Sequence, residues 1–311
     1  MTPSHPLPDV FDPGSVREFR YVSRSLDLST GEALLRYALD DLELTERYTF
    51  PLPTEPVSAP RLAAAQRLLD HLWLVAGLSY YKLAAPSVVV IEQGEFHASD
   101  IALHQLLLMR GLGEFCFVNG LDPELHPEYR YRELATPPVP PVGLALDHGP
   151  LVPVGGGKDS CVTIEAIRAA GISPTLITVR RFPIIEGVIR DAGLPDLAVD
   201  RLLDPKLRAL NERGALNGHV PATAIVSFAV LVTAALHGFD AVLMSNERSA
   251  SEGNVSYRGV SVNHQWSKSD EAEEAIGAAV GRVSPELSWA SLLRPLSELH
   301  IARLFARLCG R

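Results

Sequence analysis

The sequence predicts an α/β protein in two parts, a parallel-sheet domain over residues 139–311 preceded by a smaller α+β domain over residues 1–138. Three observations predict it. Leu151 to Val154, Gly155 to Gly157, Ser160 to Ala170 and Thr175 to Val179 read in order as apolar strand, glycine turn, helix and strand, which is a βαβ unit. A second apolar helix, Thr223 to His237, feeds the apolar strand Ala241 to Met244, and a polar loop follows at once. The stretch TPPVPPVG, Thr136 to Gly143, is a linker, because its prolines suit neither a helix interior nor a central strand. Alternating strands and helices imply a parallel sheet covered on both faces, with ligands at the carboxyl ends of the strands.

Ahead of the linker, Phe19 to Leu28 and Arg47 to Leu52 carry partly alternating apolar residues, and Asp27 to Gly31 offers turn chemistry, so a small antiparallel meander is expected. Ala59 to Ala76 has helical apolar spacing and is expected to end at Gly77 as a C-cap; Ser87 to Ile91 reads as a short buried strand. Acidic residues outnumber basic ones by 37 to 28, a formal charge of -9, which disfavours a nucleic-acid partner. Cys116, Cys161 and Cys309 form no paired motif, so a reducing cytoplasm is expected rather than a disulfide framework or a zinc site. The N-terminus has no signal-peptide pattern and reads as a frayed tail, and the run Thr223 to Leu236 is too short to span a bilayer, so no membrane partner is expected.

The chemistry is expected in LVPVGGGKDSCVTIEAI. Glycines between a buried strand and a helix let backbone N–H groups approach an anion, and the helix dipole adds positive potential there. Lys158 can add a charge-assisted contact, while Ser160 can cap the helix or donate its hydroxyl to a phosphate. A Walker A loop needs other residues where Val152 and Asp159 stand, and a dinucleotide fingerprint needs a third glycine that is absent. The plain alternative is a tight strand-to-helix turn with Asp159 as its cap. GGGKDS resembles the SGGxDS signature of the PP-loop ATP pyrophosphatases, of adenine nucleotide alpha hydrolase-like fold, with Gly155 where that family usually has Ser. That resemblance implies ATP phosphates held by Gly155, Gly156, Gly157, Lys158, Asp159 and Ser160.

Two more polar clusters follow, SNERSASEGN from Ser245 to Asn254 and VNHQWSKS from Val262 to Ser269. Together with LLRPLSELHIARLF (Leu292 to Phe305), GLSYYK (Gly77 to Lys82) and GLGEFCFVNGL (Gly111 to Leu121), they resemble the ATP-dependent UDP-N-acetylmuramoyl-L-alanyl-L-glutamate epimerases, the MurL family of bacterial cell-wall synthesis. The resemblance implies that ATP adenylates the α-carboxylate of the terminal L-glutamate of UDP-N-acetylmuramoyl-L-alanyl-L-glutamate. The Cα proton then becomes removable, and reprotonation on the other face gives the D-glutamyl product with release of AMP and pyrophosphate.

Roles follow from that implied reaction. Ser245 and Asn246 join the ATP-binding set, Mg2+ bridges phosphate oxygens with Asp159 as its candidate ligand, and Lys158, Asp159, Glu247, Arg248, His264 and Lys268 are candidates for catalytic work. Arg248, Arg294 and Lys268 suit carboxylate or α-phosphate contacts. Suitable proton-transfer chemistry is offered by His264, Lys268, Glu247, Tyr80, Tyr81 and Lys82, although aromatic packing is the simpler role for the two tyrosines. The first domain is expected to hold the UDP-muramoyl part. The family pattern also implies a Cys-containing tail past the last amphipathic helix, whereas this sequence stops at Arg311, so a shortened or natively short chain is expected. Two rival readings stand beside this one: another PP-loop adenylating enzyme, amidotransferase or tRNA-modifying, and a module that binds ATP without turnover.

Overall fold

A computed structural model describes residues 7–253 and 255–309; the N-terminal tail through residue 6, Asn254, and residues 310 and 311 lie outside the described residues. In chain order the elements are β1 (Glu18–Asp27), β2 (Glu32–Leu39), β3 (Leu42–Thr49), α1 (Ala59–Tyr81), β4 (Val88–Ile91), α2 (Ala98–Gly111), α3 (Gly113–Asn119) and β5 (Glu128–Tyr131). Next come β6 (Leu151–Pro153), α4 (Lys158–Ala169), β7 (Thr175–Val179), α5 (Pro183–Ala192), β8 (Asp196–Leu202), α6 (Pro205–Asn211), α7 (Ala222–His237) and β9 (Ala241–Met244). The chain closes with β10 (Val255–Tyr257), β11 (Val260–Val262), α8 (Asp270–Val283), β12 (Ser288–Ser291) and α9 (Glu298–Leu308).

The fold is α/β with a mostly parallel central sheet. Ten strands run in the order β12-β9-β6-β7-β8-β3-β2-β1-β4-β5, and β10 and β11 form a separate hairpin. The five strands β12, β9, β6, β7 and β8 are mutually parallel. The expected meander is three-stranded, with β2 inserted between the two anticipated runs and β3 lying earlier than Arg47 to Leu52. Alternation explains the miss: along β2 the burial pattern ends in three consecutive buried residues, so both faces of that end are covered and the period of two is lost.

The sheet continues across the expected boundary at residue 138, because β3 pairs antiparallel with β8. At that seam Arg201 Nε donates to Glu46 Oε1 at 2.6 Å, with Glu46 fully buried, and the guanidinium also reaches Ser79 Oγ and lies over the Tyr48 ring. A buried carboxylate is tolerable only with such a partner. One hydrophobic cluster runs through both parts of the chain, from Phe11 to Trp289. The proline-rich segment lies against α1 and the end of α8, its Val139 and Pro140 carbonyls accepting from Arg67 and its Val142 N–H donating to Val283.

Helix α7 is the buried core helix that its apolar run predicted, and it packs along α1. Helix α1 corrects the expected end at Gly77: it continues to Tyr81 with Lys82 as its C-cap. Gly77 is helical, and its role is close approach, since a Cβ there would lie 2.4 Å from the Tyr21 ring. Tyr21 is itself fully buried, with its hydroxyl donating to Leu74 O at 2.8 Å. Gly77→Ala is therefore expected to destabilise the fold by about 1–3 kcal/mol through overpacking, despite the better helix propensity of alanine. Urea unfolding checks this, and an unchanged or raised midpoint contradicts it. Among the described residues no single helix is long and apolar enough to cross a membrane.

Candidate active site

The carboxyl ends of the parallel strands carry the site. Strand β6 is buried between β7 and β9, and the chain leaves it through Gly155, Gly156 and Gly157 into α4. Gly156 has φ of +79°, and a Cβ there would press on Ile184 and Ile185 at 3.1 and 3.2 Å, so both backbone conformation and close approach require glycine. At Gly155 and Gly157 a Cβ would meet nothing within 4 Å, which leaves the loop open. Helix α4 starts at Lys158 with Gly157 as N-cap and no side-chain cap, so Asp159 does not cap it. Ser160 is not the cap either: it sits inside the first turn, and its hydroxyl donates to Gly157 O at 3.0 Å. The first-turn N–H groups of a helix without such a cap need water or a ligand as acceptor.

Two further helices begin nearby, both without side-chain caps. Helix α5 starts after Phe182 and supplies the Ile184 and Ile185 contacts to Gly156, while α9 starts after Ser297 and brings Glu298 to Lys158. Three helix N-termini around one glycine loop give positive potential without several cations. Lys158 Nζ donates to Asp159 Oδ1 at 2.9 Å and to Glu298 Oε1 at 3.4 Å. Hydrogen bonding to Asp159 raises the Lys158 pKa, so the ammonium stays charged at neutral pH. Among the described residues no group of three or more His, Cys, Asp or Glu forms a metal site. The Asp159 carboxylate, part-exposed in the first turn of α4, is of the donor type that Mg2+ takes, since that ion binds through one or two carboxylates plus substrate phosphates.

The loop after β9 lies alongside. Asn246 is buried and donates to Ser291 Oγ at 3.0 Å, which ties it to the end of β12. Ser245 Oγ is buried and has no hydrogen-bond partner among the described residues, an arrangement that invites one. Glu247 accepts from Ser249 N at 2.9 Å and caps a 3-10 turn, and its backbone O accepts from Arg294. Arg248 is exposed, with its backbone N–H on Leu296 O just ahead of α9.

Arg294 differs from its expected role. Its guanidinium donates to Glu273 through Nε and Nη2, to Glu247 O at 2.8 Å and to Lys268 O at 2.7 Å, which makes it a brace joining three segments rather than a substrate clamp. Through that brace the Asn263 to Ser269 segment is held against the loop after β9, helped by Asn263 Nδ2 on Ala250 O at 2.8 Å. His264 on it is exposed and Lys268 half-buried. Tyr80 and Tyr81 are buried, with hydroxyls on Asp204 N and Pro86 O, and burial raises both phenols well above the ordinary value. They belong to the core, as their simpler role implied.

Residues 10–292 match the family model described as the MurL N-terminal domain. The chain belongs to the MurL family. Among its MurL relatives, a protein of Salinispora tropica named UDP-N-acetyl-alpha-D-muramoyl-L-alanyl-L-glutamate epimerase is 45% identical over 94% of this chain and 65% of its own length. A protein of the same name from Xanthomonas oryzae pv. oryzae is 42% identical over 96% of this chain and 66% of its own. The chain thus spans just under two thirds of the curated MurL proteins it matches.

One residue beside these motifs carries no signal of its own in the sequence. His219 lies in no motif, yet its ring stands edge-to-face with that of His264, centroids 6.3 Å apart. The only sequence signal was its place in the short loop ahead of α7, NGHVPA, where a polar residue is unremarkable.

Proposed function

We propose that this chain carries the ATP-using and stereochemical centre of an enzyme that inverts the terminal L-glutamate of UDP-N-acetylmuramoyl-L-alanyl-L-glutamate in peptidoglycan precursor synthesis in the cytoplasm. The observation that carries this reading is the open Gly155–Gly157 loop at an uncapped α4, flanked by Lys158 and two more helix N-termini. Such a junction suits a diphosphate leaving group held by backbone N–H groups. Ser245 and Asn246 border the same strand ends and suit the rest of the nucleotide. Arg248 supplies an exposed guanidinium for the α-phosphate or a carboxylate.

The reaction needs activation because a carboxylate already bears negative charge, which makes loss of the adjacent Cα proton prohibitive. Conversion to an acyl-adenylate removes that charge and lets the enolate be stabilised by nearby donors. Mg2+, when bound with Asp159, neutralises phosphate charge. The names of the MurL relatives supply the substrate class.

Incubation with ATP and the UDP-muramoyl dipeptide is expected to yield AMP, pyrophosphate and, after acid hydrolysis, D-glutamate, with solvent deuterium at Cα. AMP without inversion turns the assignment toward another acceptor, and ATP binding without AMP toward a sensor.

A further inference from the structure

Five ionisable side chains, Lys82, Glu114, His219, His264 and Lys268, come together from four segments, one of them Asn263 to Ser269. Lys82, the C-cap of α1, is 8% exposed, and its Nζ donates to Asn217 Oδ1 at 2.7 Å and Gly218 O at 2.8 Å. Glu114, in the first turn of α3, accepts the backbone N–H of His219 at 2.8 Å. The turn carrying His219 is therefore gripped from two sides, by the last residue of GLSYYK and by the acidic residue of GLGEFCFVNGL. Across from it stands the His264 ring, inclined at 81°, with Gln265 Nε2 3.3 Å from its Nε2. Two family motifs of the N-terminal half thus hold one imidazole opposite a second from the C-terminal half.

We propose that His219 and His264 are the two groups that exchange the Cα proton of the activated glutamyl residue, one on each face, with Lys82 and Glu114 as positioning residues for the His219 turn. The proposal rests on the epimerase reading. Inversion by two bases requires a nitrogen about 3 Å from the carbon on each face. The two imidazoles stand side by side, edge to face with centroids 6.3 Å apart, so the rings part by roughly 2 Å to admit the carbon between them. One imidazole lone pair takes the Cα proton, and the C–H electron pair moves onto the acyl oxygen as an enolate. The opposite imidazolium then gives its N–H proton to the other face as the carbonyl re-forms. One proton is removed and one returned, the rings exchange protonation states, and solvent resets them.

The electrostatics suit this division. Burial lowers the His219 pKa, Glu114 opposes that shift, and the neighbouring His264, Lys82 and Lys268 reinforce it. His219 is accordingly neutral at pH 7 and able to accept a proton.

The test compares the wild type with His219→Asn and His264→Asn, each incubated with ATP and the UDP-muramoyl dipeptide in deuterium oxide. Both variants are expected to lower the ratio of D-glutamyl product to AMP at least about a hundredfold, the ordinary contribution of a general acid or base. One variant is expected to wash deuterium into Cα with retention. A second readout uses the nucleotide-free protein: the His219 ring signal titrates below its ordinary value by NMR and moves up in Lys268→Gln. An unchanged product ratio in both variants, or a His219 titration at the ordinary value and indifferent to Lys268, overturns the proposal. Wild-type AMP formation without inversion overturns the epimerase reading itself, which separates the two failures.

Discussion

Lys158→Ala is expected to lower AMP formation by about a hundredfold to a thousandfold, the usual cost of removing one preorganised donor from developing charge. The expectation follows from position and charge state. Lys158 opens α4 directly after the glycine loop, and its bonds to Asp159 and Glu298 keep it protonated without burying it. Glu298 is 69% exposed at its side chain and belongs to α9, so incoming phosphate can displace it readily. Lys158→Arg is expected to recover part of the loss, because the charge returns with a different shape. The raised pKa has a sign that matters: Lys158 remains cationic from acid through mildly alkaline pH, so it adds no inflection to the rate between pH 6 and 9. Pyrophosphate exchange into ATP and AMP release are the measurements, and full turnover in both Lys158→Ala and Asp159→Ala removes the cradle from the mechanism.

Arg294→Met is expected to cost roughly 3 kcal/mol of folding stability, toward the lower end for a broken buried pair because both side chains retain some solvent. The guanidinium and Glu273 are each 19% exposed. Loss of the cation leaves the Glu273 carboxylate in a half-closed site and the carbonyls of Glu247 and Lys268 without their donor. Removing the uncompensated acid as well, in Arg294→Met with Glu273→Gln, is expected to restore part of the loss, although Glu273 also holds Ser291 N at 2.9 Å. Urea unfolding reads both, and a single-variant loss under about 0.5 kcal/mol means the brace is an ordinary surface pair.

Much of the site was visible in the chain because its signals are local. The strands Thr175–Val179 and Ala241–Met244 were bounded correctly from apolar runs ending in turn or polar residues, and α7 from its unbroken apolar stretch. The glycines at 155–157 marked a strand-to-helix junction because only a few neighbouring residues decide that geometry. Gly77 misled for the complementary reason. As a local signal it reads as a helix stop, but the Tyr21 ring that explains it comes from a strand more than fifty residues earlier. Arg294 was likewise legible as a cation and illegible as a brace, since its partners lie in three other segments.

From sequence alone came the residue types of the glycine loop, the βαβ unit around it and the family motifs, all encoded within runs of adjacent residues. Tertiary structure decided the seam between β3 and β8, the convergence of three helix starts on Gly156 and Lys158, and the meeting of His219 with His264. These depend on which distant segments bury one another's apolar and charged surface, a property of the whole packed core rather than of any stretch of chain.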